Sequence, residues 1–220
     1  MSEGGAKRLV ILGSTGSIGE QTLAVAAEFP DRYRVVGLAA GRNVVALAEQ
    51  VRHHRPEIVS VADEAGAEEL RGRLGADAPA VIGTGPEGLD AVAVHPAEFV
   101  MAGLVGALGL RPTLAAIRAG RDIGLANKEV MVMAGALVRR EVAAHGVTLL
   151  PVDSEHSAIF QCLSGQRRED VARLILTASG GPFRTWDVAR IAPADALRFG
   201  PKDCGPRSTS TFSMSKSWPS

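Results

Sequence analysis

Two carboxylates and a lysine stand where this chain could act on an oxygen-rich small molecule. Asp153 and Glu155 lie two apart in Pro151-Val152-Asp153-Ser154-Glu155-His156. In an extended chain, residues two apart point the same way, so both carboxylates can face one hard divalent cation with Ser154 turned aside. The same residues equally suit a helix over 157–163, with Asp153 as its cap and Glu155 in its first turn. Lys128 follows Asn127, a good helix cap, and precedes Glu129 and the apolar stretch 130–144. A cation in the first turn of a helix is opposed by the dipole. Its presence there points to work on a substrate oxygen or phosphate, or else to a side chain that simply faces solvent.

A second constellation suits phosphate. Leu9-Val10-Ile11-Leu12 runs into Gly13-Ser14-Thr15-Gly16-Ser17-Ile18-Gly19, and an amphipathic stretch follows over 20–29. Strand, glycine-rich turn and helix in that order let the backbone approach a pyrophosphate, whose charge then meets the free N–H groups at the helix start. The spacing is GxxGxxG, and a purely structural turn would use the same glycines. After the next strand come Gly41-Arg42-Asn43. An acidic residue there would bind a ribose 2′-hydroxyl; a guanidinium suits a 2′-phosphate, so the expected cofactor is NADPH.

Strands and helices must alternate to hold these groups. Buried strands are expected over 8–12, 33–40, 57–61, 80–83, 98–105, 123–126 and 147–152. Helical patterns lie between them, with short Gly- or Pro-marked connections. The fold class is therefore α/β, a Rossmann-like doubly wound parallel sheet over residues 1–150, followed by the start of a second α/β domain over 151–197. The glycine-rich run 103–109 offers another place where a cofactor could pass close to the backbone. Ser179-Gly180-Gly181-Pro182 reads as a hinge or a surface turn. His53, His54, His95 and His145 read as surface residues, none with a second ligand at metal-binding spacing. From residue 198 the character changes: 208–220 holds six serines and two threonines with no periodic apolar face, which predicts a disordered tail.

Composition narrows the chemistry. The 24 basic and 24 acidic residues balance, so neither a nucleic-acid footprint nor a polybasic membrane patch is expected. Two cysteines, Cys162 and Cys204, fit a reducing compartment. No stretch reaches membrane-spanning length without Gly or charge, and no signal-peptide core is present. A cytoplasmic small-molecule protein is the expectation.

Joined in this order, Gly13-Ser14-Thr15-Gly16-Ser17-Ile18-Gly19, Ala40-Gly41-Arg42-Asn43, Leu125-Ala126-Asn127-Lys128-Glu129, Pro151-Val152-Asp153-Ser154-Glu155-His156-Ser157 and Ser179-Gly180-Gly181-Pro182-Phe183 closely resemble the 1-deoxy-D-xylulose 5-phosphate reductoisomerases over residues 8–190. The resemblance implies NADPH on Thr15, Gly16, Ser17, Ile18, Gly41, Arg42, Asn43, Asn127 and Glu129. It implies Mg²⁺ or Mn²⁺ on Asp153 and Glu155, and the sugar phosphate on Lys128, Ser154, Glu155 and Ser179. Skeletal rearrangement followed by hydride transfer would give 2-C-methyl-D-erythritol 4-phosphate, a step of non-mevalonate isoprenoid biosynthesis, in an enzyme that is typically a homodimer. Members of that family continue well beyond this length, with a lid His, an Asn-Lys phosphate stretch and a third metal-binding Glu. This chain has no His after His156 and no further Asn-Lys pair. A truncated or frameshifted reading frame would produce that pattern, and the expectation is a polypeptide that binds NADPH but turns over little or no substrate. The other readings are a non-catalytic NADPH-binding fragment and another NADPH-dependent sugar or semialdehyde reductase.

Overall fold

The first strand, β1 (Lys7–Leu12), is apolar from Leu9 onward, where it is buried on both faces. Leu9 and Ile11 enter one core while Val10 and Leu12 enter the other. The computed structural model describes residues 5–178 and 210–214. Its chain divides into two compact units, Met1–Asp153 and Ser154–Ser220.

In the first unit β1 is followed by α1 (Ser17–Glu28), β2 (Tyr33–Ala39), α2 (Val44–His54), β3 (Ile58–Val61), α3 (Glu64–Leu74), β4 (Val81–Thr84) and α4 (Gly85–Val94). Then come β5 (Phe99–Ala102), α5 (Leu110–Arg118), β6 (Asp122–Leu125), α6 (Lys128–His145) and β7 (Leu149–Pro151). Seven strands form one sheet in the order β4-β3-β2-β1-β5-β6-β7, and every pair is parallel. Helices α1, α2 and α3 supply Leu23, Leu47, Val51 and Leu70 to the core on one face. On the other face α4, α5 and α6 supply Val92, Leu114, Ile117 and Val138. Each fully buried leucine contributes about 1.5–3 kcal/mol through the apolar surface removed from water. This is the expected doubly wound α/β fold.

Local chemistry sets the helix ends. The Asn43 side chain accepts the Ala46 N–H at the start of α2, and Asp63 accepts that of Gly66 at the start of α3. Gly146, at φ +63°, closes α6.

Several expected bounds shift. Helix α1 begins at Ser17, three residues earlier than its apolar periodicity shows, because Gly16 already caps it. The strand expected over 98–105 stops at Ala102; Gly103 and its neighbours leave the sheet and lead to a 3-10 turn over Gly106–Gly109. Helix α6 is interrupted at Ala134, whose φ of −143° breaks the helical path.

In the second unit, α7 (Ser154–Leu163) is followed by β8 (Leu174–Ala178), which pairs antiparallel with β9 (Ser210–Met214). The disorder expected of the whole tail therefore does not hold for residues 210–214. Serine-rich composition hid the alternation of Thr211 and Ser213 with Phe212 and Met214, which suits a strand once a partner is present.

Candidate dinucleotide site

The carboxyl ends of β1 and β5 are where the sheet order reverses, the crevice in which open α/β sheets bind ligands. Gly13 stands there at φ +85°, and a Cβ on it would lie 2.9 Å from the Gly103 carbonyl oxygen; the two loops touch backbone to backbone. A Cβ on Gly19 would come within 2.3 Å of the Gly13 oxygen. These two glycines therefore close the turn on itself. Gly16 differs: it is exposed, and its nearest neighbour across the turn would be 3.4 Å from a Cβ. Gly16 and Ser17 form the exposed lip of the turn, with Thr15 and Ile18 half-buried beside them.

Helix α1 starts without a side-chain cap. Its first N–H groups and the positive end of its dipole face the exposed lip, which is the arrangement that receives a phosphate. On the other side of β1 from β5, β2 ends and Gly41, Arg42 and Asn43 follow, all exposed. Arg42 makes no ion pair among the described residues, while the Asn43 side-chain oxygen is engaged in capping α2.

Asn127 has a more internal place than a ligand-facing residue. It is 3 % exposed; its Oδ1 accepts the Val130 N–H at 3.3 Å, and its Nδ2 donates to the Gly106 carbonyl at 2.8 Å. It pins the start of α6 to the loop after β5. Lys128 and Glu129 then emerge into solvent. The Lys128 ammonium lies 3.1 Å from Asp153 Oδ2, so a carboxylate offsets the dipole's opposition to a cation in that turn.

Asp153 ends the first unit. Ser154 and Glu155 belong to the first turn of α7, with Ser154 Oγ donating to Glu155 Oε2 at 2.8 Å. The extended reading of Asp153-Ser154-Glu155 is thus corrected: the alternative, a helix with Glu155 in its first turn, is what forms, and it begins at Ser154. Both side chains offer hard oxygen donors of the kind Mg²⁺ takes. Among the described residues no group of three or more His, Cys, Asp or Glu side chains could hold a metal ion. Ser179 and the glycines after it lie outside the described residues.

One cluster had no signal in the sequence. Glu57, just before β3, takes two hydrogen bonds from the Arg8 guanidinium, at 3.0 and 2.7 Å, and one from Arg34 at 3.2 Å. His95 Nε2 lies 2.9 Å from Glu57 Oε2. His95 is therefore not the plain surface residue expected; its side chain is 20 % exposed. Arg8's hydrogen bonds, then that of His95, pull the Glu57 carboxyl down to about 2. The cluster gathers at the amino ends of the strands, away from the dinucleotide crevice.

Comparison with known proteins settles the family. The family model of 1-deoxy-D-xylulose 5-phosphate reductoisomerase matches residues 9–135, and that of the same enzyme's C-terminal domain matches 149–209. The chain belongs to the 1-deoxy-D-xylulose 5-phosphate reductoisomerase family. A relative of that name from Chlorobium phaeobacteroides is 55 % identical over 196 residues, covering 87 % of this chain and 51 % of its own. Another, from Thermosynechococcus vestitus, is 52 % identical over 209 residues, covering 92 % and 50 %. The solved reductoisomerase of Zymomonas mobilis, in complex with NADPH, superposes with a TM-score of 0.76 at 42 % identity, covering 88 % of this chain and 51 % of that one. A further family structure, with NADPH, fosmidomycin and magnesium, gives 0.73 at 37 % identity, covering 86 % and 49 %. The chain spans about half the length of the curated relatives it matches. No helix among the described residues is long and apolar enough to cross a membrane.

Proposed function

We propose that this chain carries the NADPH-binding part of an enzyme that converts 1-deoxy-D-xylulose 5-phosphate to 2-C-methyl-D-erythritol 4-phosphate. The observation that carries the reading is the start of α1, free of any side-chain cap, behind the exposed lip Gly16-Ser17, with Arg42 exposed at the end of the neighbouring strand β2, in a chain of this family. The residues suit the cofactor: the turn 15–18 offers N–H groups to the pyrophosphate, and Arg42 offers a guanidinium to the 2′-phosphate. Gly41 leaves open space beside it, and Asn43 and Asn127 hold the two helix starts that frame the site. Glu129 stands on the exposed first turn of α6.

Lys128 would meet a substrate oxygen, with Asp153 holding its ammonium in place until the sugar phosphate arrives. Asp153 and Glu155 are the carboxylates for Mg²⁺ or Mn²⁺, and Ser154 and Ser179 complete the polar contacts to substrate. Bound together, NADPH would supply the hydride and the cation would polarise the ketone and steady the developing alkoxide. Such an ion takes one or two carboxylates and fills its remaining positions with water and substrate oxygens. We assign it to the cytoplasm, consistent with the free thiol of Cys162, and to a homodimer, as the family resemblance implies.

Thermal melting of the purified chain tests the reading. NADPH at a hundred times its Kd should raise stability by about 2.7 kcal/mol, or about 5–11 °C at this size, with NADH giving a smaller shift at equal concentration. No shift with NADPH, or a larger one with NADH, would overturn it.

A further inference from the structure

The phosphate turn is anchored from two sides. The N–H groups of Gly13 and Ser14 both donate to the Ala39 carbonyl, at 2.8 and 2.9 Å, tying the turn to the end of β2. The Ser14 carbonyl, in turn, accepts the side-chain amide of Gln50 at 2.9 Å. Gln50 sits on α2 seven residues past Asn43, two helical turns or about 10 Å from the helix start that carries Gly41-Arg42-Asn43. One hydrogen bond thus joins the helix of the 2′-phosphate end to the turn of the pyrophosphate end.

That bond leaves two buried oxygens unpaired. Gln50 Oε1 and Ser14 Oγ are both buried with no hydrogen-bond partner among the described residues, and Ser14 is fully buried. The Gln50 amide satisfies the carbonyl of the fully buried Ser14, but the two buried oxygens left unpaired offset much of what that bond contributes to folding. We propose that Gln50 is a positioning residue for the dinucleotide: through Ser14 it fixes the distance between the pyrophosphate turn and Arg42, so that NADPH meets both subsites at once. This rests on the NADPH reading above and goes beyond it by naming a residue that does not itself touch the cofactor.

A ligand that uses one subsite should not sense the coupling, whereas one that spans both should. The test measures Kd for NADPH and for adenosine 2′-monophosphate on the full 220-residue chain, wild type, Gln50→Met and Gln50→Ala, with melting of each unliganded protein. The expected result is NADPH weakened by about two- to tenfold in both variants, the range of one net hydrogen bond. Adenosine 2′-monophosphate should be unchanged, and the methionine variant, which loses the donor to the Ser14 carbonyl together with the unpaired Oε1, should melt within a few degrees of wild type. Equal weakening of both ligands, unchanged NADPH affinity, or loss of cooperative melting in both variants would overturn the proposal. Failure of the wild-type chain to bind NADPH would instead remove the reading on which it rests.

Discussion

Two glycines three residues apart in the phosphate turn do different work, and substitution separates them. An alanine at Gly19 would set its Cβ 2.3 Å from the Gly13 oxygen and 2.6 Å from the Ser14 Cα, both backbone atoms that cannot swing aside. Gly19→Ala should cost about 1–3 kcal/mol through overpacking, lowering the melting temperature by several degrees and loosening the turn with it. Gly16→Ala meets only ordinary contact across the turn and should change stability by no more than about 1 kcal/mol as a poorer cap. It should nonetheless weaken NADPH, because a methyl group then stands on the lip where the pyrophosphate approaches. Melting curves with and without NADPH distinguish the two variants. The reverse pattern, with Gly16→Ala the less stable, would contradict the geometry. Lys128 illustrates how an oddity in sequence resolves at this scale: a cation at the wrong end of a helix is stabilised by Asp153.

At the scale of elements, α6 holds the irregularity with most consequence. Its path breaks at Ala134, and the following Gly135 would give an added Cβ only ordinary contact, 3.6 Å from the Met131 methyl carbon. Gly135→Ala should raise stability by about 0.5–1 kcal/mol, since alanine loses less backbone freedom than glycine on entering a helix; a drop in melting temperature would show that the break needs glycine beside it. The seven parallel strands were legible because each is a short apolar run between helical patterns, and α2 was legible from Val44, Leu47, Ala48 and Val51, all buried. What periodicity could not show was where glycine changes role. In 13–19 glycine begins a helix, whereas in 103–109 it ends a strand, and local composition is alike in both. The helix at Ser154 was similarly open, because Asp-Ser-Glu serves as well for an N-terminus as for a strand end. Gln50 left no trace at all: an amide on the half-buried side of an amphipathic helix reads as solvated until its carbonyl partner, 36 positions earlier, is brought beside it. His95 and Glu57 escaped for the same reason.

Across the whole first unit, Glu57 joins residues from four parts of the chain: Arg8 on β1, Arg34 on β2, its own position before β3, and His95 after α4. Its carboxyl is held near 2, below its usual 4.5, so the charged form favours the folded state. That contribution is complete above about pH 4.5 and fades as pH falls toward 2. With a carboxylate 35 % exposed, the cluster is discounted to about 1 kcal/mol, or about 2–4 °C. Glu57→Gln should melt lower than wild type by that amount at pH 7, and the gap should close on acidification; a gap independent of pH would argue against an electrostatic origin. The sheet order carries a last consequence, for synthesis. β1 pairs with β2 on one edge and β5 on the other, and Val10 meets Val100. A ribosome adding about 5–20 residues per second needs about 5–18 s to span that separation. During that interval β1 to β4 can assemble while the far edge of β1 stays unpaired, a strand edge open to wrong partners. The nascent chain is most exposed to misassociation at the edge that later forms the floor of the dinucleotide crevice.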